Sequence, residues 1–286
     1  MAKEKLPKLV LFGDPKKGHV ADVIEDFLKF AKDKADVIAS CGIEKCTVNI
    51  LKKADFAVVF GGDGSITSAA RQLSQVNVPV IGVNLGKLGF LAEFSLEELK
   101  KFFPSLTSGK ARIEKRMMLA CKISSNNKEI FCSAAINDVF IMAGPPFKMI
   151  ELKISVDGQS LAGCISDGLV ISTPTGSTAY NLSAGGPIIS PKMEAIVITP
   201  ICPHSLSFRP IVINADSNVE VLPLRVNEGT TVSIDGQLSC KLAINDVVKI
   251  ERNKGDFLVV NNPLRTRWDT LATKLSWAEK PKYKIQ

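Results

Sequence analysis

Hydrophobic and polar positions follow two different patterns along this chain, and the change falls near residue 105. Before it, short apolar runs at 8–12, 56–60 and 78–83 alternate with amphipathic segments. Residues 21–30 place their apolar side chains on one helical face, and residues 97–103 predict another short helix. Strands that alternate with helices are typical of a parallel sheet covered by helices. We therefore predict a Rossmann-like, three-layer α/β domain over residues 1–105.

After residue 112, β-branched runs separated by turn signals replace the alternating pattern. Asp157-Gly158 and Asp235-Gly236 are two such signals, and the last apolar run spans residues 257–260. Short runs of this kind are typical of antiparallel β structure. We predict a β-rich domain over residues 106–261. Residues 266–277 predict a helix within a tail, residues 262–286, that packs back on the first domain.

The length and composition are typical of a chain that folds into two domains, each with its own hydrophobic core. With 286 residues and 45% hydrophobic content, the chain is near the size at which one core divides into two. The formal net charge is +7, but the Lys and Arg residues are scattered. Proteins that bind nucleic acids usually concentrate their basic residues in a stripe or patch, so we expect no nucleic-acid binding here. A dispersed positive field suits anionic small molecules such as nucleotides, and it equally keeps a surface soluble.

The cysteines and the lengths of the apolar runs indicate a cellular compartment. The seven cysteines form no CxxC pair, so we expect neither structural zinc nor a disulfide framework. Free thiols in this number are typical of a reducing compartment. The first residues lack an apolar export segment, and no uncharged apolar run reaches the roughly 18 residues of a membrane span. We expect a cytoplasmic protein that makes no membrane contact.

The first candidate chemical site is the run Gly61-Gly62-Asp63-Gly64, which directly follows the apolar residues 56–60. Glycines let backbone N–H groups approach phosphate oxygens, and ligands gather at the carboxyl ends of parallel strands. A carboxylate repels phosphate, so Asp63 fits better as the acceptor of a hydroxyl proton or as a ligand of a divalent cation. The alternative is that Asp63 is only the N-cap of a helix that begins near Ser65.

Two further observations concern this glycine-rich run. Neither GxGxxG nor GxxxxGK[ST] occurs in the chain, which disfavours ordinary hydride-transfer enzymes and P-loop kinases. The loop at residues 82–90 contains three glycines and follows the next apolar run. It either covers the same crevice or only turns the chain.

A second candidate site interrupts an apolar run in the β-rich half. Asn137-Asp138 lies between residues 134–136 and 139–142, where unpaired burial of an amide and an acid would be costly. An amide can recognise a purine edge, and a carboxylate can bind sugar hydroxyls. A β-bulge or turn near a strand end explains the pair equally well.

The third candidate site is a run of hydroxyl-bearing residues that follows an apolar strand. It comprises Thr173, Thr175, Ser177, Thr178, Tyr180 and Ser183, with Asp167 before them. Tyr180 can stack on a base or hydrogen-bond to it, Asp167 can accept from an amide, and the hydroxyls can bind ribose or phosphate. The alternative, a Ser/Thr-capped turn into a helix at 179–182, is compatible with binding.

At these residues the chain resembles NAD kinases, which phosphorylate the adenosine ribose of NAD to give NADP. The resemblance covers most of the chain and rests on segments 61–64, 137–138, 166–187 and 198–205, in the family's order. The long segment is the most specific, because Gly-Gly-Asp-Gly also occurs in diacylglycerol and sphingosine kinases. The resemblance implies an α/β domain, a β-rich domain that supplies most dinucleotide contacts, and an active site formed by both.

By position, the resemblance also implies roles for individual residues. Asp63 is implied to orient and deprotonate the ribose 2′-hydroxyl, with Gly64 beside the NAD. Asn137 and Asp138 are implied to bind the adenosine part, and Asp167 the nicotinamide amide. The rest of the implied dinucleotide pocket is Thr175, Thr178, Ala179, Tyr180, Asn181, Leu182 and Ser183. Many relatives have Glu where this chain has the shorter Asp138, which makes a sugar contact there less secure.

The weaker matches and the partners follow from the same resemblance. Lys148 and Gln237 lie where the family often has further contacts, and Lys148 alone fits a solvated charge equally well. The resemblance implies NAD and ATP as substrates, a divalent cation, Mg²⁺, that accompanies ATP, and a homo-oligomer, either dimer or tetramer. No residue is assigned as a protein ligand of the metal.

Two other functions are kept as alternatives. A lipid kinase of the diacylglycerol type would share the Gly61–Gly64 run, but the chain lacks an evident apolar lipid-binding stretch. A non-catalytic sensor would use the same pocket to bind NAD(H) and regulate a partner. Phosphate transfer from ATP to NAD separates the predicted enzyme from both.

Overall fold

The computed structural model describes residues 6–14, 16, 18–42, 46–86 and 88–276. The chain divides into two compact units. Unit 1 comprises the residues up to Glu114 and those from Leu258 onward, and unit 2 comprises Lys115–Phe257. The two units therefore divide after residues 114 and 257. The sequence predicted domain boundaries after residues 105 and 261. Unit 1 is therefore formed from two separate stretches of the chain.

Unit 1 is built on one six-stranded sheet. Its strands are β1 (Lys8–Phe12), β2 (Asp36–Cys41), β3 (Phe56–Phe60), β4 (Val80–Val83), β5 (Ile113–Arg116) and β18 (Phe257–Val260). They lie in the order β2-β1-β3-β4-β18-β5, and neighbours from β2 to β18 pair in parallel. Four of the five residues of β3 are buried, because a parallel sheet is covered on both faces. The predicted α/β architecture is confirmed.

In the described part of unit 1, two of the five α-helices contact the sheet through an aromatic cluster. The helices are α1 (Gly18–Ala31), α2 (Val48–Leu51), α3 (Asp63–Leu73), α4 (Leu96–Ser105) and α6 (Arg267–Leu275). The ring of Phe27 lies 5.6 Å from that of Phe60 and 5.9 Å from that of Phe103, which joins α1 and α4 to β3. In the segment after β18, Arg265 donates to the Glu98 carboxylate at 2.7 Å. None of the helices in the described stretches has the length and apolar character needed to cross a membrane.

Unit 2 consists of two antiparallel sheets that share one core. Its strands are β6 (Leu119–Ser125), β7 (Lys128–Ala135), β8 (Asp138–Met142), β9 (Ile150–Val156), β10 (Gln159–Ser166), β11 (Gly168–Ser172), β12 (Ala195–Ile201), β13 (Ile211–Asn214), β14 (Val219–Arg225), β15 (Thr231–Ile234), β16 (Leu238–Lys241) and β17 (Asp246–Arg252). The sheet orders are β10-β9-β14-β17-β6-β7 and β13-β12-β11-β8-β15-β16. Ile123 and Leu152 of the first sheet and Ile171 and Ile198 of the second belong to one buried cluster. The prediction of a β-rich, antiparallel second half is confirmed.

The cysteines differ in part from the prediction. Cys41, the last residue of β2, forms a disulfide with Cys46, and their Cα atoms lie 6.3 Å apart. The expectation of free thiols throughout was wrong for this pair, because two cysteines five positions apart show no recognisable sequence spacing such as CxxC. The other five cysteines are free, and of these Cys121 and Cys164 are buried.

Candidate active site

The segment Gly61–Gly64 connects β3 to α3 in unit 1. Gly61 has a φ of +153°, and a Cβ atom there would lie 2.3 Å from Oγ of Ser65. This position therefore requires glycine. Gly62 is the N-cap and the helix begins at Asp63, so the predicted start near Ser65 and the N-cap interpretation of Asp63 were both wrong. The poor helix propensity of the glycines concealed the first turn of α3 in the sequence.

The Asp63 carboxylate is held by the backbone of a second loop. Its Oδ2 accepts a hydrogen bond from the N–H of Phe90 at 2.8 Å, and its Oδ1 accepts from Leu91 at 2.9 Å and from Ala92 at 3.1 Å. A carboxylate has about four lone-pair sites, so one on Oδ2 is left for a further donor. The loop that follows β4 thus does more than turn the chain, because it fixes the orientation of this acid.

The bend at Asn137 connects β7 to β8 in unit 2. The N–H of Thr173 donates to the Asn137 carbonyl at 2.8 Å, and Oγ of Ser172 donates to the same oxygen at 3.2 Å. On the other side, the Asn137 N–H donates to Oδ1 of Asp235 at 2.8 Å. The backbone is therefore fixed, whereas the half-buried side-chain amide makes no hydrogen bond within the described part of the chain. A bend is present, and it leaves an amide available for a ligand.

Asp138, the first residue of β8, is buried beside another acid. Only 3% of its surface is exposed. Burial, with added repulsion from the Asp235 carboxylate, raises the pKa of Asp138 to about 7, and a hydrogen bond from the Tyr180 backbone acts in the opposite direction. The pKa of Tyr180 is also raised, by burial first and then by Cys202 and Asp138. The Tyr180 ring meets Phe140 edge-on, with centroids 5.0 Å apart.

The hydroxyl-bearing run after β11 contains one buried hydroxyl that has no hydrogen-bond partner among the described residues. Oγ of Ser177 donates to the Pro174 carbonyl at 2.7 Å, and Oγ1 of Thr178 donates to the Thr175 carbonyl at 3.4 Å. In contrast, Oγ1 of Thr175 is buried without a hydrogen-bond partner in the described residues. Thr175 itself is 7% exposed. A buried unpaired hydroxyl is unfavourable, so this atom is suited to a bond with a bound ligand.

The following residues form α5 (Tyr180–Ser183), and here the structure separates internal from accessible side chains. Asn181 is completely buried: its Oδ1 accepts from Thr199 at 2.7 Å, and its Nδ2 donates to the Ser177 carbonyl at 3.2 Å. Its side chain therefore braces the loop. Ala179 and Leu182 are partly buried, and Ser183 is exposed.

Asp167 lies at the opposite end of β11 from these residues. It precedes Gly168, which pairs with Met142, whereas Ser172 at the other end pairs with Asp138. The five residues of β11, at about 3.3 Å each, separate the two ends by roughly 15 Å. The polar residues of unit 2 therefore occupy two ends of one central strand.

The two weakest sequence matches are both exposed, at different ends of β8. Lys148 lies in the connection from β8 to β9, and the N–H of Ala143 in that connection donates to the Asp167 carbonyl at 2.9 Å. Gln237 lies in the turn from β15 to β16, next to the start of β8. The described residues contain no group of three or more His, Cys, Asp and Glu side chains suited to a metal ion.

Asp235 is a member of this cluster that the sequence did not reveal. Its Asp-Gly spacing indicated only a hairpin turn, and the turn is present, with positive φ at both Asp235 and Gly236. Its carboxylate, however, accepts from the backbone of Asn137 and its two neighbours, about a hundred residues earlier in the chain. Only the pairing of β15 with β8 brings these segments together.

Two protein-family models match the chain over these two sites. The ATP-NAD kinase N-terminal domain matches residues 43–111, which include the Gly61–Gly64 segment. The ATP-NAD kinase C-terminal domain matches residues 136–262, which include the cluster around Asn137. The fold is therefore that of the two-domain ATP-NAD kinases.

Individual relatives lead to the same family. An NAD kinase of Geobacter sulfurreducens is 43% identical over 227 residues, which are 79% of this chain and 80% of that protein. An NAD kinase of Rhodopirellula baltica is 36% identical over 272 residues, 95% of this chain and 87% of that protein. The chain belongs to the NAD kinase family.

Solved structures agree in fold at lower sequence identity. A yeast NADH kinase, determined as a complex with NADH, has a TM-score of 0.86 and 26% identity, and the match covers 99% of this chain and 91% of the yeast chain. An NAD kinase from Archaeoglobus fulgidus in complex with ATP has a TM-score of 0.74 and 26% identity, covering 94% and 98% of the two chains.

Proposed function

We propose that this chain transfers the γ-phosphoryl group of ATP to the 2′-hydroxyl of the adenosine ribose of NAD, giving NADP and ADP. In this reaction the 2′-oxygen attacks the γ-phosphorus and the hydroxyl proton passes to Asp63. The bond between the γ-phosphorus and the oxygen that bridges it to the β-phosphorus breaks, and ADP leaves. Membership of the NAD kinase family supports the reaction. The hydrogen bonds and burial of individual side chains support the roles assigned to them.

The observation that carries the assignment of the base is the tethered carboxylate of Asp63. Three backbone N–H groups fix its orientation at the end of a parallel strand, and one lone-pair site remains on Oδ2. A hydroxyl donating to that site would be oriented for in-line attack. Phosphoryl transfer depends more on positioning and charge neutralisation than on covalent chemistry, so a fixed acceptor suits it.

We assign the recognition of the adenosine end to the start of β8 and the loop after β11. The unpaired amide of Asn137 supports a contact with the adenine edge, and the buried Oγ1 of Thr175 supports a ligand hydrogen bond. The Tyr180 ring, held edge-on by Phe140, offers an aromatic surface for a base. The internal bonds of Asn181 support a bracing role for it rather than a direct contact.

The nicotinamide end is assigned to the opposite end of β11. Asp167 is proposed to accept from the nicotinamide amide, and the roughly 15 Å between the two ends suits an extended dinucleotide. Lys148 is exposed near that end and is proposed to approach the pyrophosphate or the ribose. We propose that Gln237, beside the start of β8, borders the adenosine end.

A divalent cation is proposed to enter with ATP as its magnesium complex. The metal would neutralise charge on the phosphates, which offsets the negative charge that Asp63 brings near them. No side chain of this chain is assigned as its ligand. Activity that is lost on addition of EDTA and restored by excess Mg²⁺ is the expected result.

The proposed function is tested by measuring NADP formation from NAD, ATP and Mg²⁺ with a coupled NADP-specific dehydrogenase. Parallel reactions replace NAD by NADH and by diacylglycerol. NADP formation that requires both ATP and metal is expected. Phosphorylation of diacylglycerol instead, or tight NAD binding without phosphate transfer, would contradict the proposal and support a lipid kinase or a sensor.

We also propose that the enzyme is a cytoplasmic homo-oligomer, a dimer or a tetramer. The family resemblance supports both the compartment and self-association. Five of the seven cysteines are free thiols, which is typical of a reducing compartment, whereas the Cys41–Cys46 disulfide is not. Light scattering on the purified protein after size exclusion would give the subunit number. A mass near 30.9 kDa at working concentration would contradict an oligomer.

A further inference from the structure

The tip of the β15–β16 hairpin contacts the bend before β8 through one carboxylate. Oδ1 of Asp235 accepts from the N–H groups of Asn137 at 2.8 Å and Asp138 at 3.2 Å, and Oδ2 accepts from Ile136 at 3.2 Å. In return, the Asp235 N–H donates to the Asp138 carbonyl at 2.9 Å. Three consecutive backbone N–H groups therefore depend on a single side chain.

The carbonyl side of the same bend is held by the loop after β11. The Thr173 N–H donates to the Asn137 carbonyl at 2.8 Å, and Oγ1 of Thr173 donates to the Ile136 carbonyl at 2.5 Å. A Cβ atom on Gly176 would lie 2.0 Å from the Asn137 carbonyl oxygen, so this loop packs directly on the bend. The bend is thus held from both sides, and the direction of the Asn137 side chain follows from the backbone that Asp235 fixes.

This arrangement places the Asp235 carboxylate close to the buried carboxyl group of Asp138. Two neighbouring acids repel each other, so the hydrogen bonds between Asp235 and the bend have an electrostatic cost. Asp138 is 3% exposed, and Asp235 adds electrostatic repulsion to the cost of its burial. The titratable side chains that face Asp138 in the described residues are Asp235 from the hairpin and Tyr180 from the loop. A purely structural turn would not require the repulsion, since an Asn or Gly at the tip also forms such turns.

We propose that Asp235 is a positioning residue for the dinucleotide: it does not touch the ligand, but it holds Asn137 and Asp138 in the conformation that binds adenosine. The proposal rests on the proposed NAD kinase function. It adds to that function a residue for which the sequence indicated only a turn.

The matched control is another hairpin of unit 2. Asp157 and Gly158, between β9 and β10, have positive φ like Asp235 and Gly236, and Asp157 also accepts a backbone hydrogen bond, from Asn218 at 2.8 Å. The Asp157 N–H likewise donates to the Asn218 carbonyl at 2.9 Å. Asp157→Asn and Asp235→Asn therefore make the same chemical change at Asp-Gly hairpin turns with positive φ at the same two positions, although the loops have two and three residues respectively. Of the two, the turn at Asp235 contacts the bend.

The experiment compares kcat, the KM values for NAD and ATP, and the calorimetric Kd for NAD in these two variants and the wild type. Asn offers one acceptor oxygen and places an NH₂ group against a backbone donor, so Asp235→Asn loses at least one bond to the bend. We expect its KM and Kd for NAD to rise about tenfold, with the KM for ATP within about twofold of wild type. Asp157→Asn should stay within about twofold in all constants.

An unchanged KM and Kd for NAD in folded Asp235→Asn would overturn the proposal, as would equal losses in Asp157→Asn. If Asp235→Asn does not fold, Thr173→Val and Thr173→Ser test the same bend from its other side. The Val variant should weaken NAD binding and the Ser variant should retain it, and equal affinities would overturn the proposal. A wild type that binds NAD but makes no NADP would contradict the proposed function, while the Kd comparison would still test the role of Asp235.

Discussion

A Cβ atom added to Gly89 would lie 2.0 Å from Oδ1 of Asp63. The backbone of the loop after β4 therefore packs directly against the acid, and the next three residues donate hydrogen bonds to it. The position of the carboxylate is set by this loop as well as by the first turn of α3. Both elements follow parallel strands that are neighbours in the sheet, β3 and β4, so the sheet brings them to the same edge.

Gly89→Ala should impair catalysis by displacing the acid. The added methyl group forces the loop or the carboxylate to move, and a misplacement of about 1 Å can lower a rate by about 10²-fold. We expect kcat to fall by about that factor while the KM for NAD changes less. Gly86→Ala is the matched control, because a Cβ atom there meets nothing within 4 Å. Equal kcat values for the two variants would show that the contact between loop and acid is not needed.

Thr175→Val should weaken NAD binding without lowering the stability of the folded protein. Val keeps the shape of Thr but removes the buried Oγ1 that has no partner in the described residues. Without a ligand, the free energy of unfolding should stay the same or rise by up to about 1 kcal/mol, because an unpaired buried hydroxyl is lost. The KM for NAD should rise about tenfold, whereas Thr175→Ser should remain near wild type. A Val variant with wild-type KM would remove this hydroxyl from the dinucleotide pocket.

Asp138→Asn should change the pH dependence of stability. Because the pKa of Asp138 is raised from 3.8 to about 7 in the folded protein, its ionisation disfavours the folded state. The stability associated with its protonated form is fully present below about pH 4 and is lost as pH rises through about 7. The Asn variant cannot ionise, so relative to wild type it should gain stability between pH 5 and pH 8, on the order of 2 kcal/mol.

Urea unfolding followed by circular dichroism at the two pH values measures this difference. Comparing the variant with wild type at each pH cancels the contributions of the acids whose pKa values are lowered, such as Glu98 and Asp269. A stability difference that is the same at pH 5 and pH 8 would mean that Asp138 does not titrate in this range.

The sequence predicted the architecture well where local patterns determine it. The apolar runs at β1, β3 and β4 predicted a parallel sheet, and the Asp-Gly turns predicted antiparallel structure in the second half. The start of α3 was placed too late because glycine at 61, 62 and 64 lowers helix propensity without preventing a helix from starting. The limits of unit 1 depend on non-local pairing, since β5 and β18 are far apart in sequence and lie side by side in the sheet.

The sequence predicted only part of the candidate site, because some of its residues are brought together by contacts between distant parts of the chain. Asp63 and Asn137 stood out because each is a polar residue beside an apolar run. Asp235 did not, because its contacts with the bend span 97 to 99 residues and its local pattern is that of any hairpin. Asn181 lay within a recognisable motif, but only the structure shows that its side chain is used internally.

The most direct test of the central claim is the kcat for NADP formation by Asp63→Asn, measured together with the Kd for NAD. Asn keeps the size of the side chain but cannot accept the ribose proton. Loss of a positioned base should lower kcat by about 10²–10⁴-fold, with the Kd for NAD within about threefold of wild type. A folded Asp63→Asn protein that forms NADP at a near-normal rate would contradict the assignment of Asp63 as the base.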